Sequence, residues 1–311
     1  MINYSKLMIW GKLIAITGSF QVIVQLLGFV CGILVIRLLP LEEYALYTLA
    51  NTMLGAMTIL ADGGISSGVM SQGGKVWNDR QKLGSVLATG LDLRRKFAIG
   101  SLIVSIPILI YLLRHNQASW LTTLLIVLAV IPAFYAALSD SLLEIVPKLH
   151  QSILPLQKNQ ALVAATRLGL STLTLFVFPW AFVAIVASGL PRIYGNIKLR
   201  KLANQFIDKS QLPDVEVKRS ILAMVKRILP GAIYFSLSGQ ISIWLISIFG
   251  NVESVAQLGA LGRLAMLLTI FNVLIATLIV PRFARLEEDR DILLKHYLRI
   301  DLQVLWLGRH L

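Results

Sequence analysis

Residues 14–36 read IAITGSFQVIVQLLGFVCGILVI, an uncharged run dominated by apolar side chains. About 20 such residues in a helix are enough to cross the hydrocarbon core of a bilayer. Lys6 and Lys12 precede the run, as they would in a signal peptide. The run is nevertheless longer than the roughly 7–15 apolar residues of a cleavable signal. It therefore predicts an uncleaved membrane-spanning helix.

The same pattern recurs along the chain and predicts an all-α membrane protein, a polytopic bundle of about eight transmembrane helices. Pro191 and Arg192 interrupt the sixth predicted span, and residues 297–307 are too short to cross. We predict three parts: a six-helix lobe over 1–197, a basic amphipathic cytoplasmic linker over 198–227, and a partial second lobe over 228–311. The spans after the first are 46–70, 97–113, 120–146, 161–178, 180–197, 228–249 and 259–280.

Composition agrees with a lipid environment. Apolar residues make up 56% of the 311 residues and charged residues 14%, against roughly 45–50% and 25% in soluble domains. The mean hydropathy is +0.75. The single cysteine, Cys31, excludes a disulfide scaffold, and the apolar content excludes a disordered chain.

The net charge of +13 follows from topology rather than from a nucleic-acid partner. Most Lys and Arg residues fall in segments that lie on the same side as the N-terminus, whereas the opposite side carries Arg37 and Arg114. This asymmetry predicts a cytoplasmic N-terminus in a multi-pass protein of the cytoplasmic (inner) membrane. The basic amphipathic segment after Pro213 is typical of a helix that lies on the anionic leaflet, so membrane lipid is an expected partner.

Polar residues recur on single faces of several predicted spans. In the first span they follow spacings of three and four residues, and a second such series runs from Asn51 to Ser66. Tight packing of small residues is one interpretation, since 28–32 and 64–68 both fit the small-xxx-small pattern. A water-filled cavity is the other. The first series is Gly18, Gln21, Gln25, Gly28 and Gly32.

Two sets of residues are candidates for function if the second interpretation holds. Guanidinium and amide groups suit an anionic, hydroxylated substrate; the candidates for the substrate path are Arg263, Arg167, Gln21, Gln25, Asn272 and Gln240. Carboxylates at membrane depth can bind a coupling ion; the candidates are Asp62, Asp140 and Glu144. For Asp140 and Glu144, one helical turn apart, a wetted helix end is the simpler interpretation.

No constellation of catalytic residues stands out in the sequence. The four histidines are scattered without metal-ligand spacing, and the chain lacks nucleotide-binding and serine-nucleophile motifs. We therefore predict a protein that is not an enzyme and that has neither a metal nor a cofactor.

Several loops resemble a known family. The stretch RLLPLEEYALY (37–47), followed by DGGI (62–65), resembles the first two helices of polysaccharide-biosynthesis flippases. These are O-antigen-type lipid-linked oligosaccharide translocases of the multidrug/oligosaccharidyl-lipid/polysaccharide exporter superfamily. Further similarity lies in LPG (229–231), VAQLGALGRL (255–264) and IVPRFARL (279–286).

The resemblance implies two six-helix lobes around a positively charged cavity, through which a polyprenyl-diphosphate-linked oligosaccharide crosses for cell-surface polysaccharide biosynthesis. Arg263 matches the family pattern best, and Arg167 is placed by its own position. Family members have twelve to fourteen spans, so this chain is shorter than the pattern, and a homo-oligomer or partners in a glycan-assembly complex are expected. The alternatives are an ion-coupled multidrug or metabolite exporter and a truncated scaffold that does not transport.

An internal repeat supports a partial second lobe. At an offset of 211 residues, spans one and two match spans seven and eight, with Thr58 aligned to Thr269 and Glu42 to Glu253. Both pairs have the same orientation, so the repeat predicts a pseudo-two-fold axis along the membrane normal.

Overall fold

The computed structural model describes residues 4–265 and 275–281; side chains are described in 17–262, except at 236, 237 and 239, and in 275–281. The described chain is all helical apart from short connections. The helices are α1 (Tyr4–Leu38), α2 (Leu41–Asp62), α3 (Ile65–Lys75), α4 (Arg80–His115), α5 (Trp120–Leu143), α6 (Ile145–Leu149), α7 (Ile153–Val177), α8 (Ala181–Ala203), α9 (Val215–Phe249) and α10 (Val252–Ala265), followed by a π-helical turn, Ile275–Ile279.

Among the described residues, five helical segments are long and apolar enough to cross a membrane, or six if the two parts of α9 (Val215–Phe235 and Gln240–Phe249), bent by 42°, count as one span. The protein is thus all-α and suited to multiple crossings, as the sequence predicts. The five are Thr17–Leu38, Leu41–Asp62, Arg80–His115, Trp120–Leu149 and Ile153–Val177.

The predicted count of eight is not confirmed. The sixth predicted span corresponds to α8, which carries Arg192, Lys198, Arg200 and Lys201 among its 23 residues. Three of these four cations follow residue 197, so the predicted span itself contains only Arg192, and α8 is not among the five segments that are long and apolar enough to cross. The eighth predicted span, 259–280, lies partly outside the described residues, and 297–307 lies wholly outside them.

Caps and breaks set where the helices begin and end. Asp79, Ser119 and Asp214 accept hydrogen bonds from backbone N–H groups in the first turns of α4, α5 and α9. Between α2 and α3, Gly63 and Gly64 adopt φ values of 48° and 99°, which suit glycine because it lacks a Cβ. The break divides the second predicted span, 46–70, into two helices.

The resembling stretch 37–47 has a structural role. Pro40 precedes α2, and Glu43 in the first turn accepts a hydrogen bond from the backbone N–H of Ala181, 2.7 Å away. A carboxylate at a helix N-terminus satisfies an otherwise unpaired donor. Glu43 therefore connects the start of α2 to the start of α8.

Two cores hold the bundle. The first contains residues of α1, α2, α4, α5 and α8 near their midpoints and far ends, including Tyr47 and Phe134. The second lies on the side of the N-terminus. It exists because α4 has 36 residues, or about 54 Å at 1.5 Å per residue, more than the roughly 30 Å of the hydrocarbon core.

The second core corrects two expectations for the segments between spans. Residues 71–96, which lie between the second and third predicted spans, are not an extended connection but include the end of α3 and the first turns of α4. The amphipathic segment after Pro213 does not lie on a leaflet, since its apolar residues Ile221 and Val225 are buried in the second core. The segment continues as α9 into the seventh predicted span, where the helix bends by 42° between Phe235 and Gln240.

The outer surface is apolar. On α1, Val22, Ile23 and Leu26 are exposed while Gln21 and Cys31 are buried. This is the reverse of a soluble helix, and it is the distribution expected when lipid surrounds the bundle.

α10 packs closely against α2. A Cβ on Gly259 of α10 would meet the side chain of Thr48 on α2, and these two residues are related by the predicted offset of 211.

Candidate functional site

A cavity of about 740 Å³ lies among α1, α2, α5, α6, α7 and α8. It is lined by polar and charged side chains although it lies within an apolar bundle. Polar groups at membrane depth cost free energy unless they are paired or wet, so such a lining is typical of a functional site. Its polar side chains are Gln21, Gln25, Asn51, Asp140, Ser141, Glu144, Lys148, Asn159, Gln160, Arg167, Ser188, Arg192 and Thr277.

Glutamines connect the first helix to this cavity. The amide of Gln21 donates to the Oε1 atoms of Gln157 and Gln160 on α7, at 3.2 and 3.0 Å. The amide of Gln160 in turn donates to Glu144 Oε1 at 2.8 Å. Four side chains therefore form one hydrogen-bonded cluster that joins α1, α7 and the end of α5.

Two ion pairs lie along the same wall. Lys148 Nζ lies 2.8 Å from Glu144 Oε2, and Arg192 Nε lies 2.9 Å from Asp140 Oδ2. Arg192 and Asp140 remain partly exposed, with side chains 44% and 25% accessible. Both carboxylates are thus matched by a cation, while water can still reach one of the pairs.

Arg167 is the third cation of the cavity. It lies near the middle of α7 and is half-buried. Its Nε is buried without a hydrogen-bond partner, and it has no ion pair within the described part of the chain. Because the other four charges cancel, the described lining carries a net charge of one, positive, centred on Arg167.

The structure brings five of the nine predicted residues together. Gln21, Gln25, Arg167, Asp140 and Glu144 all line the cavity. Sequence reasoning did not find Lys148, Asn159, Gln160 or Arg192 as cavity residues. A signal existed for Gln160, which lies seven residues before Arg167 and thus on the same face of α7.

Asp62 lies elsewhere. It pairs with Arg94 and accepts hydrogen bonds from the backbone N–H and hydroxyl of Ser66, at 3.1 and 2.7 Å. Arg94 also donates to the carbonyl of Leu138 at 2.6 Å and to the hydroxyl of Ser141. This buried network joins the glycine break to α4 and α5, and Asp62 is not part of the cavity lining.

The remaining candidates do not bear on the described cavity. Gln240 is half-buried on α9 and faces Gly55 of α2. Arg263 lies in α10, but its side chain is outside the described residues, and Asn272 lies wholly outside them. Within the described chain, no group of three or more His, Cys, Asp or Glu residues could hold a metal ion.

The two small-xxx-small segments, 28–32 and 64–68, differ in their surroundings. A Cβ on Gly64 or Gly68 would meet Ile228 or Ile221 of α9, so this pair serves close helix packing. Gly28 has no described atom within 4 Å of its Cβ position and lines the cavity. Gln21, Gln25 and Gly28 of the first polar series therefore line the cavity, and the second series splits between the cavity at Asn51 and the buried network at Asp62.

No protein-family model matches this chain, and no curated protein or solved structure shows significant similarity to it. The resemblance to polysaccharide flippases therefore rests on the sequence patterns alone.

Proposed function

We propose that this protein translocates polyprenyl-diphosphate-linked oligosaccharides across the cytoplasmic membrane, with the cavity as the substrate path and the N-terminus in the cytoplasm. One observation carries the proposal: a polar cavity with a net positive charge lies inside an apolar bundle, with Arg167 left without a counter-ion among the described residues.

The charges suit a diphosphate. A guanidinium group can donate two parallel hydrogen bonds to phosphate oxygens, and such charge-assisted bonds are about twice as strong as neutral ones. Lys148 and Arg192 already pair with carboxylates, so Arg167 is the cation best able to receive an added anion. Arg192 is half-exposed and can contribute when its pair with Asp140 opens.

The amides suit a saccharide. Gln25, Asn51 and Asn159 line the same space as Arg167, and each amide offers both donors and acceptors to sugar hydroxyl groups. A volume of about 740 Å³ lies within the 300–1,000 Å³ typical of ligand pockets. The cavity therefore has room for a diphosphate and its first sugars.

A second candidate function, ion-coupled export of cationic drugs or metabolites, is favoured by one observation. Asp140 and Glu144 also line the cavity, and carboxylates are suitable sites for a cation or a coupling proton. Their pairing with Arg192 and Lys148 weakens this alternative, because no described carboxylate of the lining is left without a cation.

A transport measurement tests the first proposal. The full chain is reconstituted into vesicles with a labelled polyprenyl-diphosphate saccharide, and exposure of the sugar on the opposite leaflet is followed with time. We expect faster exposure than in empty vesicles, and a loss of roughly tenfold to hundredfold in Arg167→Ala, since a hydrogen bond to a charged group contributes about 1.5–3 kcal/mol. Arg167→Lys should retain part of the rate.

The matched control is Arg95→Ala, which removes an exposed arginine outside the cavity. It should transport as the wild type does. A wild-type rate equal to that of empty vesicles, or equal rates in Arg167→Ala and Arg95→Ala, would overturn the proposal. Transport of an organic cation that is abolished by Asp140→Asn, but not by Arg167→Ala, would favour the second function.

A further inference from the structure

A second concavity opens on the outer side of the bundle between α5 and α8. Its volume is about 510 Å³, and it is separate from the polar cavity, because the two share no lining residue. Its walls are largely apolar, and its polar groups gather toward the end of α8. The lining consists of Pro132, Tyr135, Ala136, Ser139, Leu143, Ile193, Asn196, Ile197, Arg200, Lys201 and Asn204.

The charged side chains that line this groove are all positive. Arg200 and Lys201 are exposed, and neither has an ion pair within the described part of the chain. No Asp or Glu lines the groove. The nearby Lys198 differs, since its ammonium lies 4.8 Å from the centre of the Tyr194 ring. Two adjacent cations therefore face the groove without a described counter-ion.

The position of the two cations along α8 matches the level of lipid headgroups. Arg200 lies nineteen residues after Ala181, or about 28 Å along a helix, close to the roughly 30 Å of a hydrocarbon core. Trp180, just before Ala181, is partly exposed, as expected of a tryptophan at the opposite interface. In a helix that crosses the bilayer from Trp180, the apolar walls would lie at acyl-chain depth and the cations at headgroup depth.

We propose that this groove binds one anionic phospholipid, such as phosphatidylglycerol, from the leaflet on the side of the N-terminus. The phosphate would lie between Arg200 and Lys201, with an acyl chain against Ile193, Ile197 and Pro132. Basic pockets between membrane helices on the cytoplasmic side are known to take anionic headgroups. The proposal is independent of transport, because neither cation lines the polar cavity.

Lipid binding to the purified full chain in detergent tests the proposal, by titration with phosphatidylglycerol and, separately, with phosphatidylcholine. One basic residue near an anionic surface contributes about 1 kcal/mol, so two correspond to about 25-fold in affinity. We expect phosphatidylglycerol to bind about 25-fold more tightly than phosphatidylcholine, and we expect the double variant Arg200→Gln with Lys201→Gln to lose this preference.

The matched control is Lys226→Gln with Arg227→Gln, an exposed adjacent pair of the same residue types on α9; it should keep the preference. Ser139→Trp fills the groove without changing its charge and should weaken phosphatidylglycerol binding at least tenfold. Equal affinity for the two lipids, or equal losses in the two double variants, would overturn the proposal. Full displacement of the lipid by millimolar inorganic phosphate would overturn it as well, since a simple anion site would then suffice.

Discussion

Two clusters of charged residues flank α5, and they are built differently. On one flank, Arg94 is 3% exposed and bonds to Asp62, Ser66, Ser141 and the carbonyl of Leu138. On the other, Asp140, Glu144, Lys148 and Arg192 pair along the wall of an open cavity that also contains Arg167. The first cluster pairs its arginine with its carboxylate and leaves Arg94 Nε as a buried atom without a hydrogen bond. The second contains one cation, Arg167, that has no ion pair among the described residues.

This difference between the two clusters indicates which of their residues are candidates for function. A buried ion pair stabilises a fold only when its geometry and hydrogen bonds offset the loss of solvation, and removal of one partner is strongly destabilising. Such a pair fixes helices in place, here α2, α3, α4 and α5. A charged cluster that remains partly wet and unbalanced can instead exchange partners with a substrate. We expect substitutions in the first cluster to affect stability and those in the second to affect binding.

The largest effect is expected from Arg94→Ala, in the buried cluster of Asp62, Ser66, Arg94 and Ser141. It removes the partner of Asp62 and leaves the carbonyl of Leu138 and two hydroxyl groups without their donor. We expect a loss of about 3–5 kcal/mol in the free energy of unfolding, measured by denaturant titration in mixed micelles. The neighbouring Arg95→Ala, which removes an exposed side chain, should change it by less than about 0.5 kcal/mol. Equal effects of the two variants would show that the buried cluster around Arg94 does not hold the helices together.

The glycine break beside that cluster gives a smaller effect. Gly64 has a φ of 99°, and a Cβ there would lie 2.8 Å from Cβ of Ile228. Gly64→Ala therefore combines backbone strain with overpacking and should cost about 1–3 kcal/mol in the free energy of unfolding. Ser67→Ala, on an exposed position one turn along α3, serves as the control. A stable Gly64→Ala variant would mean that α2 and α3 can join without the left-handed turn.

Substitution of Arg167, in the cluster along the cavity wall, should affect binding strongly and stability little. Arg167→Ala removes a half-buried cation that has no ion pair within the described chain. We expect a change of less than about 1 kcal/mol in the free energy of unfolding, measured alongside the transport assay, where the loss should be large. A destabilisation as great as that of Arg94→Ala would place Arg167 in a structural network. The cluster around Arg94 and the cluster in the cavity wall would then not differ in role.

The smallest expected effect is a gain in stability. Gly28 lines the cavity and has no described atom within 4 Å of its Cβ position. Gly28→Ala should therefore stabilise α1 by about 0.5–1 kcal/mol, because alanine is the better helix former. The unfolding midpoint would rise slightly. A lower midpoint would indicate that Gly28 packs against a neighbour, as the small-xxx-small interpretation proposes.

Much of the fold follows from local patterns. Helical spacing and hydropathy predicted helices that overlap α1, α2, α5 and α7, and they placed both ends of α5 within three residues, since a helix that faces lipid must satisfy its own backbone and show apolar side chains outward. The same patterns failed for residues 71–96. A short basic segment of sequence cannot show that α4 continues beyond the bilayer and packs against α3, because that packing is set by residues far away in the chain.

The candidate site shows the same limit. The polar series on α1 correctly pointed to Gln21 and Gln25, because spacing decides which residues share a face. Asp62 lies on an equally regular series, yet its partner, Arg94, comes from a helix that antiparallel packing brings alongside it. Arg192 was treated as an interruption of a span, whereas its pairing with Asp140 places it in the cavity wall.

The sequence by itself determined that this is an all-α chain suited to a membrane and that its helices carry polar faces. Only the tertiary structure decided which of those faces meet, which charges cancel, and that Arg167 lines a cavity without a described counter-ion. The physical reason is the separation along the chain of the residues that decide each property. Hydropathy and helical periodicity are properties of a few consecutive residues, whereas a cavity and its net charge depend on how separate helices pack.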